Sequence, residues 1–131
     1  MVEKHLTPEL ILEGSKLLQV LDDAGVAPDS ALWLYSSDAS AWKLLISHVK
    51  VGVEGPRDIY RAVQKALQRL RNEVTHLDLD DVTVAKSNAP MIALLSKTIS
   101  GPGMSGIRLA RNVVDGTLIE DAYIYRLKGA A

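Results

Sequence analysis

The chain has 131 residues, 47% of them hydrophobic and 24% charged. These values exclude disorder over the whole length and leave enough apolar surface for one core. Fifteen basic residues against sixteen acidic ones give a formal charge of −1, so any binding to nucleic acid needs a local patch rather than bulk attraction. Cysteine is absent, which excludes disulfides, thiolate metal sites and a cysteine nucleophile.

Met1 to His5 carry no long apolar run behind a basic cluster, and no stretch approaches the roughly 18 apolar residues of a membrane span. Neither a secretory leader nor a membrane anchor is expected, and the cytoplasm is the default location. Two Trp, four Tyr and no Phe leave Leu, Ile and Val to fill the core. Each aromatic also carries a polar group that needs a partner where it is buried.

The first element is a helix opened by Thr7-Pro8-Glu9, with an N-cap, a proline at the first helical position and an acid at the positive end of the dipole. Leu10, Ile11, Leu17, Leu18 and Leu21 recur at helical spacing, and Gly25 supplies the stop. Gly14 inside this helix points to a close approach by a neighbouring element. After the break at Ala27–Ser30, Leu32–Tyr35 and Trp42–Val49 flank the polar Ser36–Ser40 and read as a β-hairpin. Lys50–Gly55 is a connector. A second helix runs from Pro56 to about Val74, with Tyr60, Val63, Leu67, Leu70 and Val74 as its apolar stripe.

Val82–Ala85 is a strand. Asn88-Ala89-Pro90 opens a shorter helix anchored by Ile92, Leu95 and Ile99, which stops in the glycine-rich segment Ser100–Gly106. Ile107–Val113 and Leu118–Leu127, joined through Asp115-Gly116, form a second hairpin. The order α-β-β-α-β-α-β-β predicts a single α+β domain over residues 1–131. Its sheet is expected to be mostly antiparallel and five-stranded, with about three helices on one face.

Chemistry needs converging groups. His5, His48 and His76 lie far apart and in no metal-ligand spacing, so partly exposed, incidental histidines are expected. Asp78, Asp80 and Asp81 with Lys86 have a faint likeness to the acid-plus-lysine layout of a metal-dependent nuclease strand. No acid stands two places before the lysine, however, and acids ahead of a strand commonly form a turn. The glycines of Ser100–Gly106 follow a helix and precede a strand, the reverse of a phosphate loop. A plain turn or a loop closing over a ligand both remain open.

The most organised polar pattern is on the second helix, where Arg57, Arg61, Lys65 and Arg69 recur every four residues along one stripe. Such a row is mildly self-repelling unless something anionic lies across it; the bland alternative is a solvated outer face. Glu120-Asp121 faces a strand bearing Arg108 and Arg111, which suggests cross-strand charge pairing. Trp33, Tyr35, Tyr123 and Tyr125 form an interface patch if they lie away from the helices, and ordinary core if helices cover them. The Ser105–Arg108 and Ile119–Tyr125 stretches have the look of a small bacterial protein, a likeness that carries no activity with it.

These features favour a non-catalytic interaction module or assembly subunit, with a protein partner or a second copy and with no metal or other cofactor. The alternative is a protein that binds nucleic acid or a phosphorylated ligand, as a plain binder or a nuclease-like protein, through the basic helix face.

Overall fold

The computed structural model describes residues 5–36, 40–98, 106–114 and 116–127, with the backbone alone at residues 97, 98, 110–112 and 114. Helix α1 spans Pro8–Asp23; the Thr7 hydroxyl accepts from the Leu10 N–H at 3.2 Å. The helix stops at Gly25, whose φ of 79° suits a residue without a Cβ.

Strands β1 (Ser30–Ser36) and β2 (Ala41–His48) form the first hairpin. The connector holds one helical turn, α2 (Val51–Glu54), and leads into α3 (Arg57–Arg69). A 3₁₀ turn over Leu79–Asp81 delivers β3 (Val82–Lys86), followed by α4 (Pro90–Thr98) and the hairpin of β4 (Ile107–Val114) and β5 (Thr117–Arg126).

The five strands make one sheet in the order β3-β2-β1-β5-β4. It is mixed: the β1–β2, β1–β5 and β4–β5 pairs are antiparallel, but β2 and β3 run parallel. The expected α+β class holds and the element order holds roughly, with α2 as a fourth helix inside the expected connector; the parallel pair is the departure from an antiparallel sheet. Its cause is the long connection through α2 and α3, which returns the chain to the edge of β2 in the same direction.

The helices do not share one face. Ala31, Trp33, Trp42, Leu44, Ile46, Val82 and Val84 pack with Leu10, Leu17, Leu18 and Leu21 of α1 and Ile59, Val63 and Ala66 of α3. Leu32, Ala122 and Ile124 instead pack with Ile92 and Leu95 of α4. The alternation of β1 side chains separates Trp33 from Leu32, so this central strand is apolar on both sides and needs a helical layer on each. That two-sided demand places α4 opposite α1 and α3, in place of three helices together. Ile99, an expected α4 anchor, lies outside the described residues.

The closest approach between layers is at Gly14. A Cβ there would lie 2.3 Å from the Tyr125 hydroxyl and 3.2 Å from the Trp33 Nε1. The Trp33 indole N–H donates to Tyr125 Oη at 2.9 Å, and that hydroxyl donates to the Ile11 carbonyl at 2.6 Å. Burial pushes the Tyr125 hydroxyl well above its ordinary range, outweighing the bond from Trp33, which acts the other way; it stays protonated and able to donate. Gly14 therefore admits this hydroxyl against the helix backbone, as its position inside a helix suggested.

Gly14→Ala is expected to destabilise the fold despite the roughly 1 kcal/mol that alanine adds to a helix interior. In a Tyr125→Phe background the same substitution should cost measurably less, because the nearest clashing atom is gone. A double-mutant cycle in chemical denaturation checks this coupling, and strict additivity would refute it.

Candidate functional site

On α3 the buried side is formed by Ile59, Val63 and Ala66, and Leu70 caps the helix end. Tyr60 and Leu67 are half-buried at its margin, where the Tyr60 hydroxyl accepts from the Val84 N–H at 3.1 Å. The helix ends at Arg69, short of Val74, and turns carry the chain onward. Arg57, Arg61, Lys65 and Arg69 are all exposed, in a row that starts opposite the buried side and drifts toward its margin at Arg69, as four-residue steps on a 3.6-residue turn require.

Arg61, Lys65 and Arg69 also line a groove of about 420 Å³ between α1 and α3. The rest of its lining is Val20, Leu21, Ala24, Val26, Asp58, Ala62 and Ala66. Among the described residues the groove thus has an apolar floor of small and branched side chains, with three cations along one rim and a single carboxylate, Asp58. Arg57 falls outside it. Among the described residues, no salt bridge ties Arg57, Arg61, Lys65 or Arg69 to a carboxylate. The groove itself was not legible in the sequence, since it is made by two helices packing side by side.

Nearby acids are largely engaged. Asp22, at the end of α1, receives both terminal nitrogens of Arg126 at 3.0 and 2.8 Å. Its neighbour Asp23 accepts from the Gln19 amide at 3.1 Å. Lys16 lies 3.5 Å from Glu73.

The aromatic set is not an open patch. Trp33 is 0% exposed, and Tyr125 is bonded beneath α1. Tyr35 and Tyr123 are half-buried against the same core. Helix α1 covers the face on which these side chains stand. Trp42 lies edge-on to Tyr35 at 5.5 Å, with the Arg108 guanidinium 5.5 Å from its ring centroid. Arg108 binds both oxygens of Asp121, at 2.6 and 2.7 Å, the cross-strand pairing expected of the closing hairpin; the Arg111 side chain lies outside the described residues.

The acids before β3 serve their own turn. Asp78 and Asp81 cap the 3₁₀ segment reciprocally, and the Asp80 carbonyl accepts from Lys43. Among the described residues no group of three or more His, Asp or Glu is placed to hold a metal ion. The glycine-rich loop, Gly106 excepted, lies outside the described residues. His48 accepts from the Lys50 N–H at 3.0 Å, and His5 is exposed.

The polar residue that sequence reasoning missed is Glu13. It is 5% exposed, and its Oε1 accepts the backbone N–H groups of His76 and Leu77 at 2.9 and 3.0 Å. Its Oε2 lies 2.8 Å from His76 Nδ1, while the His76 side chain remains 58% exposed. The signal was in the spacing: Glu13 stands between Leu10 and Leu17 on the buried stripe, a place a carboxylate occupies only with partners.

Burial pushes the Glu13 carboxyl up, but the His76 side chain and the N–H groups of His76, Leu77 and Thr75 together hold it below its ordinary value of 4.5. A carboxylate with a depressed folded pKa stabilises the fold above its unfolded pKa, and the contribution fades as pH falls through the folded pKa. Glu13→Ala should therefore cost about 2–3 kcal/mol at neutral pH, the charge-assisted bonds being lost and two N–H groups left without an acceptor. The gap to the parent protein should shrink when denaturation is repeated below the ordinary carboxylate range; a pH-independent gap would refute the role.

Comparison of the chain with family models, with curated proteins and with solved structures gives no significant match.

Proposed function

We propose that this chain is a non-catalytic protein-interaction module whose docking face is the basic side of α3, centred on Arg61, Lys65 and Arg69 with Arg57 at its edge. One observation carries this reading: three cations in a row rim an apolar groove and meet no carboxylate partner among the described residues. Cations at four-residue steps repel one another by a few tenths of a kcal/mol per pair. An anionic surface laid across them would offset that cost, and an apolar floor adds the dehydrated contact that makes an interface specific.

Lys65→Glu separates binding from stability. It turns two like-charged neighbours into two attractive i,i+4 pairs with Arg61 and Arg69, so the folded state should gain about 0.5–1 kcal/mol. Binding to the native partner, recovered by affinity capture from the host and measured with purified components, should be lost. Unchanged binding would refute the docking face. A partner-free monomer in sedimentation of both the purified protein and the host extract would refute the module itself.

A second reading, binding of nucleic acid or a phosphorylated ligand, draws on the same row of cations. It accounts less well for the apolar floor, which gives a phosphate backbone nothing to contact, and for the absence of any aromatic stacking surface in the groove lining. Salt-sensitive binding of an oligonucleotide, weakened in the Arg61→Ala/Arg69→Ala variant, would favour it over the protein partner.

A further inference from the structure

We infer that the occupant of the α1–α3 groove is an acidic amphipathic helix of a partner protein, an inference that rests on the interaction-module reading and names its partner class. The chemistry of the groove selects this occupant in three steps. Its floor is apolar, formed by Val20, Leu21, Ala24, Ala62 and Ala66, so the guest must bring aliphatic side chains. Its rim offers Arg61, Lys65 and Arg69 over a rise of about 12 Å, at one cation per turn. The guest must therefore bring carboxylates on one flank of its apolar stripe.

The third step concerns the guest's backbone. Apart from the turn at Ala24 and Val26, whose N–H groups bond back to the Val20 and Leu21 carbonyls, both walls are α-helices, whose main-chain groups are already bonded along their own axes. An extended peptide would lay unpaired N–H and C=O groups over an apolar floor with no strand edge to receive them. A helix satisfies its backbone internally and presents only side chains, the helix-in-groove mode. Alanines at 24, 62 and 66 allow a third helix to approach closely.

A second copy of this chain does not supply the guest from its described helices. Helix α4 carries no acid in Pro90–Thr98. On α1 Glu13 is buried and Asp22 is bound by Arg126, which leaves Glu9 and Asp23 at opposite ends. Neither α2 nor α3 has a row of acids. A lipid surface is a poorer fit, because the apolar lining is buried or half-buried except for Ala24, while the cations are exposed.

The test is selection on the full chain from a displayed library of random peptides about 18 residues long, roughly five helical turns. Enriched peptides should combine aliphatic residues at i, i+3 or i+4, and i+7 with flanking Asp or Glu, and should gain helical circular dichroism on binding. Ala62→Gln fills the floor without changing charge, and Lys65→Glu reverses the rim; each should weaken the selected peptides about tenfold or more. Ala24→Gln, at the exposed end of the floor where α1 is capped, serves if Ala62→Gln perturbs the fold.

Acidic peptides without an apolar period, sensitive to Lys65→Glu but not to the glutamine variants, would overturn the helical guest and leave the interaction module standing. Failure to enrich any peptide over the Lys65→Glu variant would overturn both. Tighter binding to a single-stranded oligonucleotide, or to vesicles containing anionic phospholipid, than to any selected peptide would do the same.

Discussion

The Tyr125 hydroxyl, caught between the Trp33 indole and the Ile11 carbonyl, fixes how closely α1 lies on the sheet. It joins the central strand β1 and its neighbour β5 to the helix backbone in one contact, and Gly14 leaves the room for it. Two further tethers act along α1. Glu13 holds the loop that follows α3 through the His76 and Leu77 N–H groups, and Arg126 grips Asp22 at the helix end. With α1 fixed at these points, the gap between it and α3 is a property of the fold itself. For the partner helix proposed above, such a preformed groove would spare part of the ordering cost of association.

The sheet is covered unequally. On one side α1 and α3 bury both tryptophans and the inner faces of β1, β2 and β3. On the other, the short α4 packs against Leu32, Ala122 and Ile124. Placing β1 in the middle of the order explains why Ser30–Trp33 is buried on both faces. The same placement explains why Trp33 of β1 is fully buried, with the half-buried Tyr125 of β5 packed against the same core.

Charge is distributed with a similar asymmetry. Asp121 is engaged by Arg108, Asp22 by Arg126, Glu13 by His76 and backbone, and Asp78 and Asp81 by their own turn. Glu13 apart, which is buried, these are exposed pairs that contribute little to stability, but they occupy most of the acids around the helices, Asp58 in the groove being an exception. The cations of α3 are left bordering an apolar groove.

The sequence by itself determined the local structure: the Thr7 cap and Gly25 stop of α1, both hairpins, the exposed basic stripe and the tight packing at Gly14. Each follows from residue type and spacing within a few turns or strands, where backbone geometry leaves little choice. Only the tertiary structure decided that β3 joins β2 in parallel and that α4 crosses to the second face. It also decided that Trp33 and Tyr125 turn inward, that Glu13 meets His76, and that Arg61, Lys65 and Arg69 border a groove with Val20 and Ala24. These depend on which distant surfaces come together, and burial energy fixes that pairing for the chain as a whole; periodicity gives the direction of a side chain but not the identity of what it faces.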